Sequence, residues 1–411
     1  MIAFEKIRDR NIVRIYAATL LIGLGYGISL SVTALHLTAR GFDKQDIGSL
    51  AAWFAGGLVA LSLLMGGLIR RFTAKRVLWL ALLGYAASIA IFPTVDTYTG
   101  LAAVRAMDGA CSVMVWVCSE TLLLSRAEPE HKAFTLSLYT ITIAIGYVFG
   151  PLLAHAIVEA ASMRTAFSCA ASLAVLSSLY VVFKLEPDRA PAHESAAATA
   201  KDDASRHSYE PFVGLLRKIK NSCFATFCYG YFQATVVLFL PIYLMESKAV
   251  PAERTILIPA FFAAGMLLFS NLAGRAGDRF GHLRVMRLLA ILGTTMILGF
   301  VYLDSYAWMC AAVFIAGASL ASISPLSLAL QGAQCDSREY ARATAIYNTF
   351  YAAGILLGPP LASRIFARAG GPWMLYHLAA LWAAFIAFSL WFASDDPRHR
   401  ASAAVPSAGS N

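Results

Sequence analysis

Twelve stretches of this sequence are long, apolar and almost free of charge, and that pattern leaves few folds open. A helix needs about 20 mostly apolar residues to cross the hydrocarbon of a bilayer. Such runs lie near residues 12–37, 46–69, 77–96, 100–124, 133–158 and 164–184, and again near 221–245, 254–274, 285–304, 306–331, 340–366 and 372–393. They are roughly two to three times too long for the strands of a membrane β-barrel. The composition agrees, with 59% of the 411 residues hydrophobic and 14% charged, against about 25% charged in an ordinary soluble domain. So little charge cannot coat a water-facing surface of this size. A soluble enzyme, a disordered chain and a secreted disulfide scaffold are excluded. The expected fold is an all-α membrane protein with twelve transmembrane helices.

Lysine and arginine set the orientation, because they concentrate on the cytoplasmic side. With the N-terminus inside, 25 of the 33 basic residues fall on cytoplasmic segments or span ends, seven on the opposite face and one, Arg105, deep within a span. Both termini are therefore expected in the cytoplasm, with the chain in a bacterial inner membrane. The net charge of +9 reads as a topology signal, so no nucleic-acid partner is expected. The first run follows Lys6, Arg8, Arg10 and Arg14 as a signal peptide would, but it is too long and lacks a small-residue cleavage site, so it reads as a span. The seven cysteines form no CxxC pair and the eight histidines are scattered. No metal or other cofactor is expected.

Sliding the chain against itself by 208 residues exposes an internal repeat. Gly57 falls on Gly265, Gly66 on Gly274, Arg71 on Arg279, Arg76 on Arg284 and Gly109 on Gly317. Without a gap, Tyr139 then meets Tyr347, Gly146 meets Gly354, and Gly150-Pro151 meets Gly358-Pro359. Apolar helices aligned by chance would match leucines and alanines, not glycine, proline and arginine in register. The expected organisation is a six-helix bundle over residues 1–185, a cytoplasmic linker over 186–220, and a second six-helix bundle with a short tail over 221–411. The linker is rich in Pro, Ala, Ser and charge, and its basic end, Pro211–Lys220, reads as an amphipathic segment lying on the inner membrane surface.

Six spans per repeat give both repeats one orientation, related by an axis along the membrane normal. Alternating-access carriers are built this way, with a substrate site near mid-membrane. The chain resembles the major facilitator superfamily over nearly its whole length. The segment after the eighth run, Gly274-Arg275-Ala276-Gly277-Asp278-Arg279-Phe280-Gly281-His282-Leu283-Arg284, is similar to that family's G-x-x-x-D-R-x-G-x-x-R loop. The resemblance implies a cytoplasmic latch over Gly274, Asp278, Arg279, Gly281 and Arg284. Glycine there allows close helix approach and a turn. The first copy departs from the pattern, with Arg70 in place of the acid and Thr73 in place of the glycine. Two readings of Arg70 stand side by side: a charge-swapped latch to Asp336 or Glu339 at the start of the eleventh span, or one more positive-inside charge beside Arg71. Gly146-x-x-x-Gly150-Pro151 and Gly354-x-x-x-Gly358-Pro359 place bare backbone on one helix face for close packing, and the prolines are expected to bend their helices. The first of these resembles the superfamily's antiporter signature, which implies export.

Charge inside a span is expensive and functional by default. Of the 24 acids only Asp108 and Glu120 fall inside spans rather than at a terminal residue, both on the fourth. Asp108 lies about 12 Å from the outer end of its helix at 1.5 Å per residue. Arg105-x-x-x-Gly109 resembles the family's fourth-span motif, which is linked to proton coupling. Asp108 with Arg105 is thus either a proton carrier with its tuning partner or a permanent structural ion pair. Glu120 is turned about 120° from Asp108 at 100° per residue and is expected to pair with Arg70, Arg71 or Arg76 at the cytoplasmic gate. Tyr26, Trp116, Tyr229, Gln233, Ser324, Tyr347, Asn348 and Tyr351 are the candidate lining of a substrate cavity, although aromatics also serve as core or interfacial packing.

These features lead to a secondary active transporter, a monomer among membrane lipids that moves a small organic solute by proton-coupled export. Few buried charges point to a neutral or amphipathic solute. Proton-coupled uptake is the alternative, and a non-transporting receptor a more distant one. An enzyme is not expected, since no convergent Ser/His/Asp set occurs at one membrane depth, and no GxxxxGK[ST] loop offers ATP as the energy source.

Overall fold

The computed structural model describes residues 9–128, 132–186, 211–335 and 339–393; among these the backbone is helical almost throughout, with no strand. In chain order the helices are α1 (Arg10–Ala39), α2 (Lys44–Ser62), α3 (Met65–Phe72), α4 (Ala74–Ile91), α5 (Tyr98–Arg126), α6 (Lys132–Ala160) and α7 (Met163–Lys184). After them come α8 (Phe212–Lys248), α9 (Ala252–Thr255), α10 (Ile258–Phe280), α11 (His282–Phe300), α12 (Tyr306–Ala316), α13 (Ile323–Gln334), α14 (Tyr340–Ala369) and α15 (Gly371–Trp391). A 3-10 turn, Phe92–Thr94, closes α4, and a π turn, Gly317–Ala321, joins α12 to α13. Among the described residues eleven helical stretches are long and apolar enough to cross a membrane, or twelve when the bent pair α2–α3 counts as one. The protein is a multi-pass, all-α membrane protein. Large apolar side chains such as Phe183, Leu176, Trp373 and Trp391 are exposed, a surface for lipid rather than water.

Helix starts follow ordinary capping chemistry. Asp9 accepts from the Asn11 amide at 2.8 Å, Asp43 from the Asp46 amide at 2.7 Å and Ser162 from the Thr165 amide at 3.1 Å. Each satisfies one of the amides that a helix N-terminus leaves unpaired.

The chain divides into two compact units. The first comprises Met1–His207 with Val237–Ala260. In it α1 packs along α6 and α7, and α5 along α2 and α4. Gly23 and Gly27 of α1 meet Gly146 and Gly150 of α6, and a Cβ on Gly150 would lie 2.6 Å from the Gly27 Cα. Only bare backbone permits that approach. The last part of α8 and α9 join this unit through Lys44, whose Nζ lies 2.9 Å from a Glu246 carboxylate oxygen, and His155, whose Nδ1 lies 2.8 Å from the Glu253 carbonyl. At the opposite end Lys75 donates to the carbonyls of Val182 and Leu185, at 3.2 and 2.5 Å. A cation on the unpaired carbonyls of a helix C-terminus is favoured by the negative end of the helix dipole.

The second unit comprises Ser208–Val236 with Phe261–Asn411. Here α11 packs along α15 and α13, and α14 meets α8 through glycine. A Cβ on Gly358 would lie 2.7 Å from the Tyr231 carbonyl oxygen, and Gly354 presses on the Phe227 carbonyl. Arg287 donates to the Ser389 carbonyl near the end of α15, and its Nε to Ser389 Oγ at 3.0 Å.

Three local features differ from the sequence reading. Pro211–Lys220 is no separate surface segment: from Phe212 onward it forms the first turns of the 37-residue α8. Leu215, Ile219 and Cys223, spaced four apart, bury against Ala343 and Ile346 of α14, and that stripe keeps the helix intact. The signature segment after the eighth run is hardly a loop, since α10 continues to Phe280 and the chain turns at Gly281 alone, with φ of 99°. The second run breaks at Leu63–Leu64, and α2 and α3 meet at 57°.

Candidate functional site

The first unit holds a buried polar cluster on α5. Arg105 Nη1 donates to Asp108 Oδ2 at 2.5 Å, and Ser112 Oγ faces Asp108 Oδ1 at 3.4 Å. Three and four residues are about one turn on a helix, so all three groups share a face. Asp108 is 3% exposed and Arg105 9%. The guanidinium carbon stands 4.6 Å from the centroid of the Phe54 ring on α2, a cation–π arrangement. Around the pair Tyr26 of α1 meets Tyr85 of α4 edge to face at 4.6 Å, and Tyr85 Oη shares a hydrogen bond with Ser29 Oγ at 2.9 Å. The Trp116 ring lies 6.1 Å from that of Tyr26. The structure thus brings Asp108, Arg105, Tyr26 and Trp116 into one neighbourhood. Phe54, Tyr85 and Ser112 complete it and escaped the sequence reading, although the i,i+4 spacing of Ser112 from Asp108 was a usable signal.

The second unit gathers its candidate residues in two groups. Tyr229 of α8 stacks on Tyr351 of α14 at 6.0 Å, and Tyr351 Oη donates to Gln233 Oε1 at 2.9 Å. Separately, Tyr347 Oη donates to the Ser324 carbonyl at 3.1 Å and shares a hydrogen bond with Ser327 Oγ at 2.9 Å. Asn348 is exposed beside them. Ser327 also escaped the sequence reading; the signal was the repeat, which sets Ser119 against Tyr139 as it sets Ser327 against Tyr347. None of these groups is charged, so they suit hydrogen bonding and ring contact.

The gate candidates distribute as follows. Asp278 Oδ1 lies 3.2 Å from His282 Nε2, one turn on and across the Gly281 break. Arg279 lies over the Phe280 ring at 5.3 Å, and Arg71 over the Phe72 ring at the same distance. Gly274, like Gly66, has nothing within 4 Å of a built Cβ, so the close approach is at Gly277, against Leu326 and His282. Arg284 and Arg70 are exposed. Glu339 Oε2 lies 3.9 Å from Lys218 Nζ, an acid–base contact inside its own unit; Asp336 lies outside the described residues. Glu120 is exposed and, among the described residues, forms no ion pair with Arg70, Arg71 or Arg76. The expected bridge does not form: Arg70, Arg71 and Arg76 are all exposed, and Arg71 lies over the neighbouring Phe72 ring. Pro151 and Pro359 sit within unbroken helices, α6 and α14.

The geometry belongs to a recognisable class. The model of the Major Facilitator Superfamily matches residues 15–222 and again 222–410, nearly one match per sequence repeat. The MFS-type transporter YcaD of Escherichia coli is 24% identical over 364 residues, covering 87% of this chain and 89% of its own. Its counterpart in Shigella flexneri is 23% identical over the same shares. Among solved structures, the fold is similar to that of the nucleoside transporter NupG, with a TM-score of 0.75 at 12% identity over 93% of this chain and 99% of that one. It is also similar to a bacterial homologue of the human lysosomal transporter Spinster, with a TM-score of 0.68 at 12% identity over 95% of each chain. A likeness at that identity speaks for the fold. Two full-length repeats, matched glycine contacts and a family model spanning both halves lead to one conclusion: the chain belongs to the Major Facilitator Superfamily, a family of transporters that carry small molecules.

Proposed function

We propose that the protein is a secondary active transporter that exports a small organic solute across the bacterial cytoplasmic membrane in exchange for protons. The observation that carries this reading is Asp108, a carboxylate buried on a spanning helix with Arg105 and Ser112 on its two oxygens. An ionised group inside hydrocarbon costs several kcal/mol even by the lower scales. A carboxylate whose surroundings alternate between wet and dry trades its charge for a proton. In this reading Asp108 carries the coupling proton, and Arg105 holds it in the ionised state between proton loads. The uncharged groups of the second unit, Tyr229, Gln233, Tyr351 and Asn348, contact the solute.

Several assignments follow the same reading. The Gly274–Arg284 segment with Arg70 and Arg71 acts at the cytoplasmic gate, and both termini face the cytoplasm. The functional bodies are the two sequence repeats, 1–185 and 221–411, and the protein works as a monomer. The Gly146–Pro151 signature supports export.

The test uses the full chain reconstituted in proteoliposomes and a solute identified by thermal-stabilisation screening of the purified protein. Asp108→Asn is expected to abolish transport driven by a pH gradient while leaving downhill exchange intact. Unchanged gradient dependence in that variant would overturn the coupling role.

A further inference from the structure

Glu120 is the spanning charge that the coupling pair does not use. It lies six residues before the end of α5 at Arg126, about 9 Å along the axis at 1.5 Å per residue. It is exposed, and among the described residues no lysine, arginine or histidine forms an ion pair with it. The side on which it opens matters. Met107, 52% exposed, marks one open side of α5, and thirteen residues further on Glu120 points about 140° away from it. Trp116 precedes Glu120 by one turn, on nearly the same line of the helix. Its ring stands beside Tyr26 of α1, and Tyr139 of α6 lies within electrostatic reach of the Glu120 carboxylate. The carboxylate therefore opens on the side of the unit that α1 and α6 share, away from the apolar side marked by Met107. An ionised carboxylate turned to lipid would be strongly unfavourable.

The glycine contacts that the two units share do not call for either residue. The second unit repeats the glycine contacts of this helix, at Gly265 and Gly317, and carries Ser324 where Trp116 stands and Leu328 where Glu120 stands. The fold accommodates an apolar residue at the second position and a small polar one at the first.

We infer that Glu120 and Trp116 form a binding site for an organic cation, with the carboxylate supplying the opposing charge and the indole a π face. Indole is the strongest cation–π partner among the side chains, and a carboxylate beside it adds direct charge complementarity. This inference rests on the transport reading above and gives the charge class of the solute, which the scarcity of spanning charge had pointed away from.

The experiment measures equilibrium binding of tetraphenylphosphonium to the full-length protein in lipid nanodiscs, beside its uncharged analogue triphenylphosphine oxide. Saturable binding of the cation is expected, at least about ten-fold tighter than of the oxide, and at least about ten-fold weaker in Glu120→Gln. Trp116→Leu is expected to weaken it about five-fold. The inference is overturned by no saturable cation binding, by equal affinity for the oxide, or by a Glu120→Gln affinity within about two-fold of the parent. A second readout works on the unaltered protein, should Glu120→Gln fail to fold. Dicyclohexylcarbodiimide should label Glu120, and saturating tetraphenylphosphonium should protect it; labelling unaffected by the cation counts against the site. No gradient is present in either assay, so a failure here leaves the coupling role of Asp108 standing. Retained gradient dependence in Asp108→Asn would likewise leave cation binding intact.

Discussion

On α5, Gly109 approaches the Phe54 carbonyl so closely that any side chain would overlap the backbone of α2, and 208 residues later Gly317 approaches the Phe262 carbonyl in the same way. The reciprocal contacts repeat as well, with Gly57 against Ala106 and Gly265 against Phe314. Between these shared contacts the chemistry separates. Where the first helix carries Arg105, Asp108 and Glu120, the second carries Val313, Ala316 and Leu328. Where the first is a regular α-helix throughout, the second opens into a π turn at Gly317–Ala321. A π turn inserts a residue into the helix and commonly marks a functional position. The comparison separates two demands: the fold requires the glycines in both units, while the charges meet a need of the first unit alone.

The largest expected effect breaks the charge asymmetry. Arg105→Met leaves Asp108 buried without its counter-ion, at a cost of about 3–5 kcal/mol, whereas replacing both partners by apolar residues is close to neutral. The double variant Arg105→Val with Asp108→Ala, which copies the second unit, should therefore recover most of the stability lost in the single variant, yet show no gradient-driven transport. Thermal unfolding of the purified variants checks the first part. A double variant as unstable as the single one would make the pair a structural requirement.

A smaller effect sharpens the shared part. Gly109→Ala and Gly317→Ala should each destabilise by about 1–3 kcal/mol, the cost of overpacking a tight contact. Gly274→Ala, with open space around it inside α10, should not destabilise and should gain up to about 1 kcal/mol in helix propensity. The same unfolding measurement ranks the three, and equal losses at Gly109 and Gly274 would refute the contact assignment.

The smallest effect has the opposite sign. Thr73 stands where the second unit has Gly281, and both turn the chain with positive φ, 69° and 99°. A β-branched residue with φ of 69° and ψ of 149° is strained, because such backbone is nearly a glycine preserve. Thr73→Gly should stabilise by about 1 kcal/mol, less a few tenths for the lost hydrogen bond from the Arg76 amide. A rise in the unfolding midpoint is the expected reading, and Gly281→Thr should lower it.

Much of this molecule is legible along the chain. The apolar runs become helices because the bilayer sets their length and the backbone must satisfy its own hydrogen bonds within each one. The glycine pairs were visible through the repeat, and Arg105 with Asp108 through their spacing of three. The partner glycines Gly23 and Gly27 on α1 were less visible, since close approach involves two helices and only one carried the G-x-x-x-G-P pattern. Glu120 was misjudged for a related reason. Arginines expected at the same cytoplasmic end of the bundle suggested a bridge, but whether a side chain reaches its partner depends on where the helices diverge. The break at Leu63–Leu64 and the π turn left no clear local signal, because both answer to neighbouring helices.

The sequence by itself determined the apolar spans, the internal repeat, and the glycines on which helices pack within each unit. These follow from hydropathy and residue size, which act along one dimension. Only the tertiary structure decided which charges are neutralised and which stand open, where a helix bends, and that Pro211–Lys220 continues into α8. Those outcomes depend on the side chains that a neighbouring helix presents at a given depth, and adjacent positions in space come here from residues far apart in the chain.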